Sequence, residues 1–539
     1  MDEMRAALDD EQAVAVYSDA KRLLVLAPPG SGKTRTLAYR FARLVNEGAQ
    51  PREILAITFT IRAAEEMRQR ILSLVRVDAS QIVVGTFHSF CLRLIESLGQ
   101  KVKLYGRADT IAFFRKAGAK NPVRAASRVS SVKNGALASS EDETALFNDY
   151  QAHLIEARAL DLDDLVPEAI RLMEQGVDGM IKPTHILVDE YQDINPAQER
   201  LLKLLLKPES SLFVIGDPDQ AIYSFRGACL ENILNFEANH PRGEVLRLDK
   251  NYRSTGNIVF ASSSLIQNNV KRLYSEARPH RRDGEVIRIV ECNDAKAHSG
   301  FIVKEIEAMM GGLSSLTASA SGVRRFSDFA VLFRTHRQAD ELVKSFSKSV
   351  IPYQYVNNAG DDIGAVIALL KGAVICDDEN VAGFVRARLR EAGIERCPTL
   401  PHLCRYAERA GKDALRAFIE ETLLMEEADN LDIVVDKVSL MSIHSAKGLE
   451  FPVVFIVGAD DGVMPLRFKN SASDVEEERR LFYVAMTRAK DALYITREGK
   501  EPSLFLDELG PSSISRIKIE KKKTIRRMKQ NALFGDDFS

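Results

Sequence analysis

The sequence predicts an α/β protein made of two strand-rich blocks, each interrupted by a mainly helical insertion. Three observations carry that prediction. Short apolar runs such as "RLLVLA", "ILAITF", "HILVDE", "LFVIGD", "FAVLFR" and "PVVFIV" are continuous and mostly β-branched, as strands buried on both faces of a parallel sheet require. Periodic segments such as "TRTLAYRFARLV" and "AAEEMRQRILSLV" follow them as helices, giving repeated strand–helix units. A glycine-rich turn, "APPGSGKTRT", joins one such strand to one such helix.

In chain order, the first block takes residues 1–90 and 185–243, with an insertion at 91–184. That insertion contains "SRVSSVKNGALASSEDE", which reads as solvated helix and loop. The second block takes 244–356 and 438–500, with a shorter insertion at 357–437. "GGLSSLTASASG", Gly311 to Gly322, reads as a flexible surface loop. Residues 501–539 read as a basic, disordered tail.

With 539 residues, 45% hydrophobic and 28% charged, the chain has room for several cores. No apolar run approaches the roughly 18–20 residues of a membrane span. The acidic stretch "MDEMRAALDDEQ" has no apolar run, so no secretory signal is expected. Six cysteines without a CxxC argue against a disulfide framework or a zinc site and fit a reducing cytoplasm. The net charge of −2 leaves any phosphate-binding surface to local patches.

The turn Gly30-Ser31-Gly32-Lys33-Thr34 suits phosphates. Glycines let backbone N–H groups approach the oxygens, and the helix N-terminus adds its positive end. Lys33 is expected to neutralise the β and γ phosphates of a nucleotide, and the Thr34 hydroxyl to hold Mg²⁺. The strict pattern begins with glycine, where this chain has Ala27. In "HILVDEYQD" a strand delivers Asp189 and Glu190 to its C-terminal end, where open α/β sheets bind ligands. Asp189 is expected to complete the Mg²⁺ shell, and Glu190 to accept a proton from the attacking water. Charge developing on the transferred phosphoryl group calls for cations, and Arg253 in "LDKNYRS" and Arg488 in "LFYVAMTRAK" are the candidates.

Twelve segments in order make the set recognisable: "LDDEQ", "APPGSGKTRT", "LAITFTIRAAEEM", "GTFHSF", "DLDDL", "VDEYQDIN", "GDPDQAIYSFRGA", "NYRS", "AVLFRT", "IPYQYV", "SIHSAKGLEFPVVFI" and "EEERRLFYVAMTRAK". The chain resembles the UvrD/Rep/PcrA type of superfamily 1 DNA helicases over about residues 8–490. The resemblance implies two RecA-like P-loop NTPase cores with ATP at their interface. It assigns Gln12 to adenine recognition, Tyr252 and Arg35 to the face of the base, and Glu450 to the ribose. Gln220 is assigned to the γ-phosphate, and Arg253 and Arg488 to arginine fingers from the second core.

In "GDPDQAIYSFRGA", Tyr223, Phe225 and Arg226 follow Gln220 within six residues. Stacking on an aromatic face holds a base by about 1–3 kcal/mol, against about 1.4 kcal/mol to open a duplex step. The loop is therefore expected to link nucleotide state to grip on DNA. The family often has Trp where Phe225 stands, and this chain has no Trp. Core packing is the plain alternative for Tyr223 and Phe225. The resemblance adds Phe59, Thr86, His88 and His444 as strand contacts, with a core role equally open to His88 and His444. Lys447 is expected to serve the phosphate or DNA side.

Relatives of this type carry a larger second insertion, so efficient unwinding is less expected than translocation along one strand. The tail from Arg516 to Lys529 has eight basic residues, and "QNALF" after it resembles the QxxLF peptide that docks on bacterial sliding clamps. Gln530, Leu533 and Phe534 carry that resemblance; an anchor onto the protein's own surface is the rival. The expected function is an ATP- and Mg²⁺-dependent single-stranded DNA translocase and 3′→5′ helicase in DNA repair or replication, acting on single-stranded and tailed duplex DNA. The alternative is a translocase that displaces proteins from DNA and unwinds weakly.

Overall fold

The computed structural model describes residues 2–99, 102–134, 141–176, 183–273, 276–311, 324–356, 381–391, 419, 422–423, 431, 435–467, 474–499 and 501–519. The first sheet holds strands β1 (Arg22–Leu26), β2 (Ile54–Thr58), β3 (Val83–Thr86), β6 (His185–Val188), β7 (Ser211–Gly216) and β8 (Glu244–Arg247). Their order is β3-β2-β6-β7-β1-β8, parallel throughout. Strands β4 (Lys103–Tyr105) and β5 (Ala159–Asp161) pair inside the first insertion. A short pair, β9 (Lys250–Asn251) and β10 (Arg278–Pro279), lies where the chain passes to the second core.

The second sheet is built from β11 (Ile287–Glu291), β12 (Phe329–Phe333), β13 (Tyr353–Val356), β14 (Val438–Ser442), β15 (Phe451–Val457), β16 (Ala489–Arg497) and β17 (Ile514–Lys518). The order is β13-β14-β12-β15-β16-β11-β17, again all parallel. The continuous apolar runs are the reason. Every residue of β2, β12 and β14 is buried, because helices cover both faces of each sheet. The phosphate turn follows β1, the acidic pair follows β6 and the aromatic loop follows β7, so all three gather at the C-terminal ends of three neighbouring strands.

Three expectations need correction. Residue 244 does not open the second core: β8 pairs with β1 in the first sheet, and the crossing lies beyond it. Residues 501–519 are not a disordered tail. Phe505, Leu506 and Leu509 are buried in the second core, and β17 pairs with β11. Within the helix read as solvated, the Lys133 ammonium is instead buried between Asp161 at 2.7 Å and Asp164 at 2.8 Å. The loop at 312–322, most of 357–437, and residues 520–539 with Gln530, Leu533 and Phe534 lie outside the described residues. Among the described residues no helix is long and apolar enough to cross a membrane.

Candidate nucleotide and strand-binding cleft

One continuous cleft of about 1690 Å³ runs from the phosphate turn to the aromatic loop, lined by both cores and the first insertion. At one end Gly30 and Gly32 have φ of +76° and +88°. A methyl group on Gly30 would lie 2.6 Å from the Arg253 Cβ, and one on Gly32 would lie 2.7 Å from the Gln12 Nε2. Left-handed backbone and closed space both demand glycine there. The helix Lys33–Asn46 starts without a side-chain cap, so its first N–H groups are left for a ligand. Ser31 turns back on the loop, its Oγ donating to the Pro28 carbonyl at 2.7 Å. Lys33 Nζ donates to the Ala27 carbonyl at 3.0 Å.

Thr34 Oγ1 faces Asp189 Oδ2 at 3.5 Å. Burial, reinforced by the neighbouring Glu190 charge, pushes the Asp189 carboxyl up to about 7. Glu190 is half-buried, and Lys33 and Lys447 hold its carboxyl below the ordinary value against the cost of desolvation. A hydroxyl and a buried carboxylate meeting beside a phosphate turn form an oxygen donor set that fits Mg²⁺. Thr34 and Asp189 would hold such an ion, which would supply positive charge against a bound phosphate. Glu190 sits at φ +52°, with Gln192 Nε2 donating to its carboxylate at 2.5 Å. That contact orients the carboxylate on the wall of the cleft.

Beside the turn, Gln12 Nε2 donates to the Ser31 carbonyl at 2.9 Å and the Tyr252 N–H to the Gly30 carbonyl at 2.9 Å. The Tyr252 hydroxyl donates to Asp9 and the Arg35 guanidinium to the Ala7 carbonyl. These residues form one wall around the turn. Across the cleft Arg488 is fully buried, its Nη2 donating to Gln220 Oε1 at 3.1 Å and its Nη1 to the Leu449 carbonyl at 3.1 Å. Burial depresses its guanidinium to about 9. Arg253 and Glu450, expected on separate groups of the nucleotide, are instead joined to each other at 2.6 Å, with Lys490 on the second Glu450 oxygen at 2.6 Å.

At the other end Tyr223 stacks on Phe59, with centroids 4.9 Å apart and planes at 15°. Its hydroxyl donates to the His444 carbonyl at 3.2 Å, and Lys447 Nζ lies 5.0 Å from its ring centroid. Tyr223 is buried, whereas Phe225 is 53% exposed. The Arg226 guanidinium lies 5.2 Å from the Tyr223 ring and 5.7 Å from that of Phe225. His444 meets Phe225 edge-on at 5.4 Å. Burial, with Arg334 and Arg226 nearby, depresses its imidazole to about 3, so it is neutral at physiological pH. His88 lines the cleft. Thr86 is buried and caps the helix Phe87–Ser97, accepting from Ser89 N–H at 3.2 Å, which gives it a structural task.

Residues 8–117 and 116–241 match the UvrD/REP helicase N-terminal domain, and residues 246–371 and 390–499 match the UvrD-like helicase C-terminal domain. A protein from Staphylococcus epidermidis, the ATP-dependent DNA helicase PcrA, is 30% identical over 96% of this chain and 88% of its own length. Proteins of the same name from Leuconostoc citreum and Staphylococcus aureus are each 29% identical over 96% of this chain, covering 87% and 88% of their own lengths. The chain belongs to the UvrD/REP helicase family. Its two parallel sheets are the two RecA-like cores of a superfamily 1 helicase.

Several contacts of this helicase escaped sequence reasoning because their partners are more than 50 positions apart. Lys447, expected near phosphate or DNA, is buried and donates to Asp193 and, at 2.7 Å, to the Gln220 carbonyl. Arg272 of the second core holds Asp219 of the first at 2.6 Å. Ser224 N–H donates to Glu477 at 3.1 Å. Asp193 and Asp219 stand inside the motifs quoted above, which was the available signal. Nothing in the sequence said which cations they meet.

Proposed function

We propose that this PcrA/UvrD-type helicase is an ATP-dependent DNA helicase that hydrolyses ATP with Mg²⁺ and translocates 3′→5′ along single-stranded DNA. It separates strands of tailed duplexes in DNA repair or replication. One observation carries the reading: Gln220, bonded to Arg488 of the opposite core, is three residues from Tyr223 on the same loop. Closing the cores around a nucleotide therefore bears directly on the rings that face a base.

Within this reading the cleft residues take roles. Lys33 and the turn N–H groups bind the β and γ phosphates, and Glu190 accepts the proton of the attacking water. Gln220, Arg253 and Arg488 stabilise charge on the γ-phosphate, and Arg253 leaves Glu450 to do so. Gln12, Arg35 and Tyr252 hold the base, and Glu450, once released, the ribose. Phe59, His88, Tyr223, Phe225, Arg226 and His444 hold the strand. Lys33→Ala and Arg488→Ala are each expected to abolish DNA-stimulated ATP hydrolysis by a folded protein, about 10³-fold or more for an arginine finger. Wild-type turnover in either variant rejects the assignment. Displacement of a 3′-tailed but not a 5′-tailed duplex tests the polarity.

A second reading, protein displacement from DNA with weak unwinding, is favoured by length. The alignment to the S. epidermidis relative runs over 654 positions, whereas this chain has 539 residues. Comparing duplex unwinding with removal of a bound protein separates the two. We also propose that Gln530, Leu533 and Phe534 dock the chain on a sliding clamp. Loss of clamp binding on replacing Leu533 and Phe534 by alanine tests it.

A further inference from the structure

The helix Pro122–Lys133 of the first insertion ends at the cleft. Its last residue, Lys133, is fixed by Asp161 and Asp164 of "DLDDL", and a buried ammonium demands such partners. Asn134 follows as the helix cap. Its Nδ2 donates to Asp163 Oδ1 at 2.7 Å and to the Ser130 carbonyl at 3.0 Å. Its Oδ1 accepts from Asn195 Nδ2 at 3.2 Å. Asn195 in turn caps the helix Pro196–Leu205 through Gln198 N–H at 2.8 Å, five residues after Glu190.

The Asn134 main chain makes a second contact. A methyl group on Gly227 would lie 2.4 Å from the Asn134 carbonyl oxygen, so the two backbones are closely packed. Gly227, at φ +85°, closes the turn Ser224–Arg226 that presents Phe225. One residue of the insertion thus touches both the segment after the acidic pair and the turn bearing the exposed ring. Neither can shift without disturbing it.

We infer that Asn134 is a positioning residue that holds the Phe225 turn in register with the acidic loop. Through it the first insertion takes part in coupling nucleotide state to grip on the strand. This rests on the DNA-motor reading above. Asn134→Ala removes the bond from one side. Asn195→Ser removes it from the other, because serine still caps a helix but is too short to reach Asn134.

The test is ATP hydrolysis by the full chain, titrated with a single-stranded oligonucleotide. In each variant the concentration giving half-maximal stimulation is expected to rise about two- to tenfold, the range lost with one net hydrogen bond. The rate at saturating DNA should stay near wild type. The double variant should be no worse than Asn134→Ala alone, since the bond cut by Asn195→Ser is one that Asn134→Ala already removes. Half-saturation at the wild-type concentration in both variants overturns the inference. So does a fall in maximal rate and thermal midpoint without a shift in half-saturation. If the wild type itself shows no stimulation by DNA, the motor reading fails; if it is stimulated and the variants titrate like it, only the inference about Asn134 fails.

Discussion

Tyr223 packs its ring on Phe59 within the second core's cluster, whereas Phe225, two positions on, is 53% exposed. The same short loop therefore divides its aromatics between scaffold and contact surface. Phe225→Ala is expected to leave the thermal midpoint unchanged and weaken single-stranded DNA binding about tenfold, the loss of one stacked base. Tyr223→Ala should lower stability by about 3 kcal/mol or more as well, because it empties a packed site. Fluorescence anisotropy with a labelled oligonucleotide and urea unfolding read the two effects separately; equal loss of stability in both would contradict this division. His444 gives a pH test. Its folded value of about 3 lies below the roughly 6.5 of an unfolded histidine, so the unfolded chain takes up the proton first as pH falls. Stability present above pH 6.5 is lost on the way down toward 3, about 2 kcal/mol of it by pH 5. His444→Gln should lose correspondingly less between pH 7 and 5, and an equal loss rejects the neutral imidazole.

The buried strands were legible because a strand covered on both faces must be apolar along its whole length, as β2 and β12 are. Strand β17 was not. "ISRIK" opens a run of lysines and is half exposed at a sheet edge, so its own composition says tail. Its conformation is set by β11, against which all five of its residues are in register. The helix end at Lys133 was misread for a related reason: a charged side chain is solvated unless partners distant in sequence enclose it, and Asp161 and Asp164 do. The strand pairing yields a truncation test. A chain ending at Ile519 should keep the wild-type thermal midpoint. A chain ending at Ser513 should lose several degrees and aggregate, because β11 then becomes an open edge. Identical midpoints and solubility would mean that β17 adds nothing to the sheet.

Across the whole molecule, motif order announced two halves of one machine but not the bonds that join them. Lys447 and Asp193 are 254 positions apart, and their side chains are 5% and 0% exposed at the junction of the cores. Burial pushes the Asp193 carboxyl up to about 7 despite Lys447, so the pair is held together against a desolvation penalty. Lys447 also reaches the Gln220 carbonyl and lies 5.0 Å from the Tyr223 ring, which puts one cation against the acidic loop, the Gln220 loop and the stacking ring together. Removing one partner and replacing both have different consequences. Asp193→Asn leaves a buried ammonium without its anion and should lower stability by about 3–5 kcal/mol, whereas the apolar pair Asp193→Leu with Lys447→Met should recover most of that loss. The apolar pair cannot replace the bond to Gln220 or the charge beside Tyr223. The double variant should therefore regain its thermal midpoint while the ratio of ATP hydrolysis with and without single-stranded DNA stays depressed. If both recover together, the pair serves only to hold the cores in place, and coupling must run through Arg488 and Gln220 alone.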